Sequence, residues 1–135
     1  MRPAGLRAFR RQRTRRSVVG MTLKWEQVVV DCEDFLAQGH WWADALGWEI
    51  VDEDDEGVEL RNTEGSNPTL LLLAVPEGKT VKNRLHLDFV PDDQAAEVER
   101  LIAMGATRID VGQNEVSWVV LADPEGNEFC VLSAR

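Results

Sequence analysis

The chain has 135 residues, with 15 Lys and Arg against 24 Asp and Glu and a net charge of −9. That length supports one domain with a substantial core. Seven Arg and no acidic residue fall in residues 1–20, so the remainder sets eight basic residues against 24 acidic ones, a net of −16. A body this acidic repels nucleic-acid phosphates and anionic membrane surfaces, and no run reaches the roughly 18 apolar residues of a membrane span. The two cysteines are far apart in sequence and make no disulfide framework, which points to reduced thiols in a cytoplasmic protein.

Residues 1–20, MRPAGLRAFRRQRTRRSVVG, lack the apolar segment of a secretory signal. They read as a basic disordered leader, upstream of a fold that starts near Met21. The functional alternatives are a nucleic-acid-binding arm or an organelle-targeting segment.

Trp25–Asp31 is the first expected strand, with Val28 and Val30 on one face and Gln27, Val29 and Asp31 on the other. Asp34 caps a helix to about Leu46, and Gly47 ends it. Phe35, Trp42 and Leu46 form its inward stripe. His40 lies off that stripe as a surface residue, and Trp41 covers an interface or sheet edge. Trp48–Asp52 and Gly57–Arg61 are short strands. Thr69–Val75 (TLLLLAV) is a continuous apolar run, expected to be buried on both faces. Pro76–Asn83 is a linker.

Leu85–Val90 then alternates, with His86, Asp88 and Val90 on one face. Asp92 or Asp93 caps a helix carrying Ala95, Val98, Leu101 and Ile102, and Gly105 ends it. Thr107–Val111 is a strand. Val116–Ala122 and Glu128–Leu132 are a hairpin closed by Asp123-Pro124-Glu125-Gly126, the residue pattern of a type I turn. In its last strand Glu128 and Cys130 share a face, about 6–7 Å apart along the chain.

The order is strand, helix, three strands, then the same again, and residues repeat with it. Gln27 and Asp34 return as His86 and Asp93, both at an offset of 59. Ala45-Leu46-Gly47 returns as Ala103-Met104-Gly105. Two copies of one unit follow. The expected fold class is α+β: two βαβββ modules, about 24–76 and 83–133, form a curled mixed sheet around a concave cleft, with helices outside.

The segments LGWEIV, NRLHLDF and SWVVLADPEGNEFCVL, set in two βαβββ modules, resemble the vicinal oxygen chelate superfamily, in its glyoxalase-like, bleomycin-resistance-like branch. The resemblance covers about residues 24–133. It implies a concave site, a homodimer, and either metal-dependent chemistry or metal-free sequestration of small molecules. Metal-using relatives place ligands on the first and last strand of each module. Those positions here hold Gln27, a leucine of Thr69–Val75, His86 and Cys130. Only Gln27, His86 and Cys130 could ligate a divalent ion, and a soft thiolate beside a neutral amide is an awkward set for hard ions. No cofactor is therefore expected.

The cleft is expected to be lined by Gln27, Asp31, His86, Asp88, Trp118, Glu128 and Cys130. His86 could serve as acid or base, oriented by Asp88. Cys130 is a nucleophile or a small apolar filler. Trp118 is core or an aromatic wall. The leading expectation is a protein that binds a small organic molecule. A lyase or isomerase using His86, with or without metal, is the alternative, and interaction through the Arg-rich leader is a third.

Overall fold

The computed structural model describes residues 22–135; the expected leader and Met21 lie outside the described residues. Ten elements follow the repeat. Module one is β1 (Gln27–Cys32), α1 (Phe35–Leu46), β2 (Glu49–Glu53), β3 (Gly57–Arg61) and β4 (Thr69–Ala74). Module two is β5 (Asp88–Phe89), α2 (Gln94–Ala103), β6 (Thr107–Arg108), β7 (Val119–Ala122) and β8 (Glu128–Val131). The expected curled sheet is built as two four-stranded mixed sheets, ordered β1-β4-β3-β2 and β5-β8-β7-β6. In each, the first strand pairs in parallel with the last.

Both helices begin as their sequences dictate. The Asp34 side chain accepts from Ala37 N at 3.1 Å, and Asp93 accepts from Ala96 N at 3.1 Å. Each cap satisfies one N–H left unpaired by the first turn. Gly47 ends α1 with φ 66°, a left-handed conformation that needs no Cβ.

Module one departs from expectation at β4, whose leucines are fully buried on one face only. Leu70 and Leu72 are buried against α1, whereas Leu71 and Leu73 are half-buried. Apolar residues on both sides of a strand do not ensure cover on both sides. Among the described residues no helix or sheet covers the second face, and it also carries Gln27, Val29 and Asp31 through the register Gln27↔Thr69, Val29↔Leu71 and Asp31↔Leu73.

Module two forms less sheet than its alternation suggests. Only Asp88 and Phe89 of the Leu85–Val90 run pair with β8, and Leu85 is fully exposed. Thr107–Val111 shortens to two paired residues, and Val116–Trp118 stay outside β7 as exposed backbone. On α2, Val98 and Leu101 are buried as expected, but Ala95 and Ile102 are exposed, because the helix lies on β8 through a narrow stripe.

One core joins the modules. Trp42, Val58, Leu60, Leu70 and Leu72 of module one pack in a single cluster with Val98, Leu101, Leu121, Phe129 and Val131 of module two. Trp42 lies edge-on to Phe129 with centroids 5.0 Å apart, and Phe89 and Trp41 extend the aromatic group. Such pairs add about 0.5–1.5 kcal/mol beyond area burial. Trp41 Nε1 donates to Met104 O at 2.9 Å, and Arg100 donates to Ala45 O at 2.8 Å, tying the two helix ends together. Trp41 is thus an interface residue, as read. His40 is at the surface, 2.8 Å from Glu53 Oε1.

Cys32 closes β1 as a buried thiol 3.6 Å from Leu73 O. Burial, and then the charges of Glu125, Asp123, Asp31 and Asp34, push its pKa up to about 12 from 9.0. The fold therefore holds this thiol neutral. The resulting stabilisation is complete below pH 9.0 and is lost as pH rises through about 12. The urea midpoint of the protein is expected to fall between pH 9 and 11, and Cys32→Ala to flatten that fall. An unchanged slope in the variant would refute the assignment.

Candidate functional site

A cleft of about 590 Å³ lies between the β1 edge and the segment from Glu77 to Leu87. β1 is an edge strand, so residues from both of its faces reach the opening. Val28, Val30, Trp42, Leu87 and Phe129 supply apolar surface, with His86 and the charged residues Asp31, Lys82 and Arg84 around them.

The wall from residues 77 to 83 is fastened by Glu128. Its Oε1 accepts from Lys79 Nζ at 2.8 Å and its Oε2 from Asn83 N at 3.0 Å. Burial alone would raise this carboxyl. The hydrogen bonds from Lys79, Asn83 N and its own N–H, together with the Lys79 charge, outweigh burial and hold it below the usual carboxylate range. Glu128 thus reaches the cleft wall as a strap anchor.

Of the seven residues expected to line the cleft, Asp31, His86 and Glu128 do so, and Gln27, Asp88, Trp118 and Cys130 lie elsewhere. Gln27 sits on the uncovered face of module one beside Thr69. Trp118 is an exposed residue ahead of β7, 40% accessible. Asp88, Cys130 and Val120 form one row across β5, β8 and β7. His86, two residues before Asp88, meets that row: its Nδ1 lies 2.8 Å from Asp88 Oδ1 and 3.8 Å from Cys130 Sγ.

Cys130 is 6% accessible. Burial, and then the Asp88 charge and hydrogen bond, push its thiol up to about 11, with Lys82 opposing. That is the reverse of what activates a nucleophile. The pair His86–Asp88 is half-exposed, at 44% for each side chain. It fixes the ring and leaves Nε2 for other partners.

A residue that sequence reasoning gave only a turn role proves to be a hub. Asp123 is 3% exposed. Its Oδ2 accepts from Gln38 Nε2 at 2.9 Å and Trp42 Nε1 at 3.1 Å, and its Oδ1 from Glu125 N at 3.0 Å and Asn127 N at 2.9 Å. Glu125, next in the turn, accepts from Glu33 N at 2.7 Å and Asp34 N at 2.9 Å. The turn itself closes as read, with Gly126 N donating to Asp123 O at 2.9 Å. The pattern D-P-E-G-N announces the turn. Nothing local announces that it holds the start of α1.

The metal positions implied by the family resemblance do not suit a hard divalent ion. They offer one amide oxygen, one imidazole and one thiol, and the Gln27 face of β4 carries Leu71 and Leu73, which cannot ligate.

Residues 27–132 match the family described as the glyoxalase-like domain. No curated protein sequence matches. Among solved structures, the chain is similar to a glyoxalase/bleomycin resistance protein/dioxygenase family enzyme from Burkholderia phytofirmans PsJN, at 21% identity and TM-score 0.64, covering 82% of this chain and 98% of that one. It is similar to a glyoxalase-related enzyme from Fulvimarina pelagi at 16% identity and TM-score 0.63, covering 83% and 88%. A structure of a possible glyoxalase from Bacillus cereus aligns at 15% identity and TM-score 0.60, covering 82% and 99%. With its two βαβββ modules and a family match spanning nearly all the described residues, the chain belongs to the glyoxalase-like domain family of the vicinal oxygen chelate superfamily.

Proposed function

We infer that the protein binds a small organic molecule in the cleft between β1 and residues 77–87. One observation carries this reading: a cleft of about 590 Å³ combines an apolar lining of Val28, Val30, Trp42 and Phe129 with charged residues at its edge. Volume and lining of this kind are typical of small-molecule sites. Lys82 and Arg84 stand at this edge beside Asp31 and Glu77, so the net charge of the body does not fix the sign of the ligand.

The probe is anilinonaphthalene sulfonate, an aromatic anionic dye, titrated with chelator present and read by its own emission and by quenching of tryptophan emission. One site per chain is expected, with Val29→Trp weakening the dye by about tenfold, roughly 1.4 kcal/mol. Dye affinity unchanged in Val29→Trp, with the variant folded, sinks the cleft reading. Val29 is exposed, so this substitution leaves the core alone.

A homodimer belongs to the same reading. Val29, Val81 and Leu85 are exposed apolar residues around one cleft, and light scattering in the same titration reads the mass. A cytoplasmic location is supported by two free cysteines and by the absence, among the described residues, of a helix long and apolar enough to cross a membrane. The 2.8 Å contact of His86 with Asp88 favours a second reading, a lyase or isomerase with His86 as acid or base. In that case His86→Gln abolishes turnover while the urea midpoint of the protein stays unchanged.

A further inference from the structure

A second cavity lies outside the cleft, where the two helices meet. It measures about 330 Å³ and is bounded by the end of α1, by Trp48, by the turn from β5 into α2, and by α2 and β8. Its walls are mainly rings, those of Trp42, Trp48, Phe89 and Phe129, with Leu101 from α2. Trp42 and Phe129 also line the cleft, so the two spaces share one aromatic pair as a wall.

The chemistry of the two spaces differs. The cleft is edged by Asp31, Lys82 and Arg84. The second cavity has one charged lining residue, Glu97, and Arg100 takes both of its oxygens, at 2.8 Å from Nε and 2.9 Å from Nη2. The same guanidinium donates to Ala45 O at 2.8 Å, which bridges α2 to α1 beside the cavity. The indole N–H of Trp42 is likewise committed, to Asp123 at 3.1 Å. The lining therefore offers an ion no free countercharge. Protein interiors are otherwise close-packed, and an unfilled apolar space forfeits dispersion contacts along its walls. Apolar cavities of about 150 Å³ take up a single benzene ring. At about 330 Å³ this one has room for two fused rings.

We propose that this cavity is a second small-molecule site, selective for an uncharged aromatic molecule of one or two rings. Stacking and edge contacts with the rings of its wall hold the molecule, without polar anchors.

The test uses 1-fluoronaphthalene on the full chain, followed by fluorine NMR, with the indole N–H resonance of Trp48 reporting position. One site per chain is expected, with the Trp48 signal shifted. Val90 is an exposed residue of the lining, so Val90→Trp fills the cavity and leaves the core alone. It should weaken fluoronaphthalene by about tenfold and leave the cleft dye unchanged, and Val29→Trp should do the reverse. The charged analogues 2-naphthoate and 2-naphthylmethylammonium should each bind at least about tenfold more weakly. Absence of saturable binding, an unmoved Trp48 signal, displacement of fluoronaphthalene by the dye, or equal affinity for the charged analogues each overturns the proposal. Stoichiometry and the Trp48 shift are read on the unsubstituted chain, so they do not depend on whether Val90→Trp folds. Dye binding is measured separately, so the cleft reading and this site fail independently.

Discussion

Asp123→Ala is expected to cost about 3–5 kcal/mol of unfolding free energy, the upper range for a single substitution. The carboxylate is buried and accepts from Gln38, Trp42 and two backbone N–H groups of its own turn. Alanine leaves the indole N–H and the Gln38 amide without this acceptor at positions that are almost fully buried. Each such orphan costs about 1–3 kcal/mol. Against a whole-domain stability of about 5–15 kcal/mol, much of the protein would be unfolded at modest urea. Asp123→Asn keeps one acceptor oxygen and should lose about half as much. Urea denaturation followed by far-UV circular dichroism makes the comparison. A loss below about 1 kcal/mol for alanine would show that the hub is water-supported rather than essential.

Gly39→Ala is expected to cost about 3 kcal/mol, in the upper part of the range for an overpacked core. On helix propensity alone it should gain about 1 kcal/mol. The sign is set by space. A Cβ at Gly39 would stand 2.6 Å from Val58 Cβ and 2.8 Å from Val58 Cγ1, so α1 must lift away from β3. Lifting it strains the contacts of Trp42 and Leu72 in the same core cluster. Val58→Ala in the same chain removes the Cγ contacts but keeps the Cβ, so it should recover only part of the loss. A stabilised Gly39→Ala, read by the same denaturation, would mean that α1 sits less tightly on the sheet than this distance says.

Most elements were legible because their signals are local. Asp34 and Asp93 cap helices as their types suggest, and the repeat at an offset of 59 carried the two-module plan. What failed was whatever depends on neighbours. The TLLLLAV run looked doubly buried because each residue is apolar, yet cover on one face is decided by where α1 lies. Leu85–Leu87 alternate as a strand should, but ladder pairing with β8 begins only at Asp88.

The site divides in the same way. The meeting of His86 with Asp88 follows from strand alternation, and that with Cys130 was implied by the family resemblance. The cleft itself does not follow, because its walls come from β1, α1, the linker and β8, which only the packing of two modules brings together. Gln27 illustrates the limit. Its position in the repeat is right, and its place in the cleft is not inherited from that position.

The contacts of the last turn with the first helix have a consequence for the order of events during synthesis. Glu125 and Glu33 are 92 residues apart, and Asp123 and Gln38 are 85 apart. A growing chain emerges from its N-terminal end, so every element of module one leaves the ribosome before the groups that complete α1 exist. Until then Trp41 and Trp42 have no Phe129 to lie against, and the indole N–H of Trp42 has no carboxylate. Closing so long a loop is slow relative to forming local contacts. Module one therefore waits in a partly formed state with two tryptophans uncovered, and that interval is when the nascent chain is most exposed to misassociation with its neighbours.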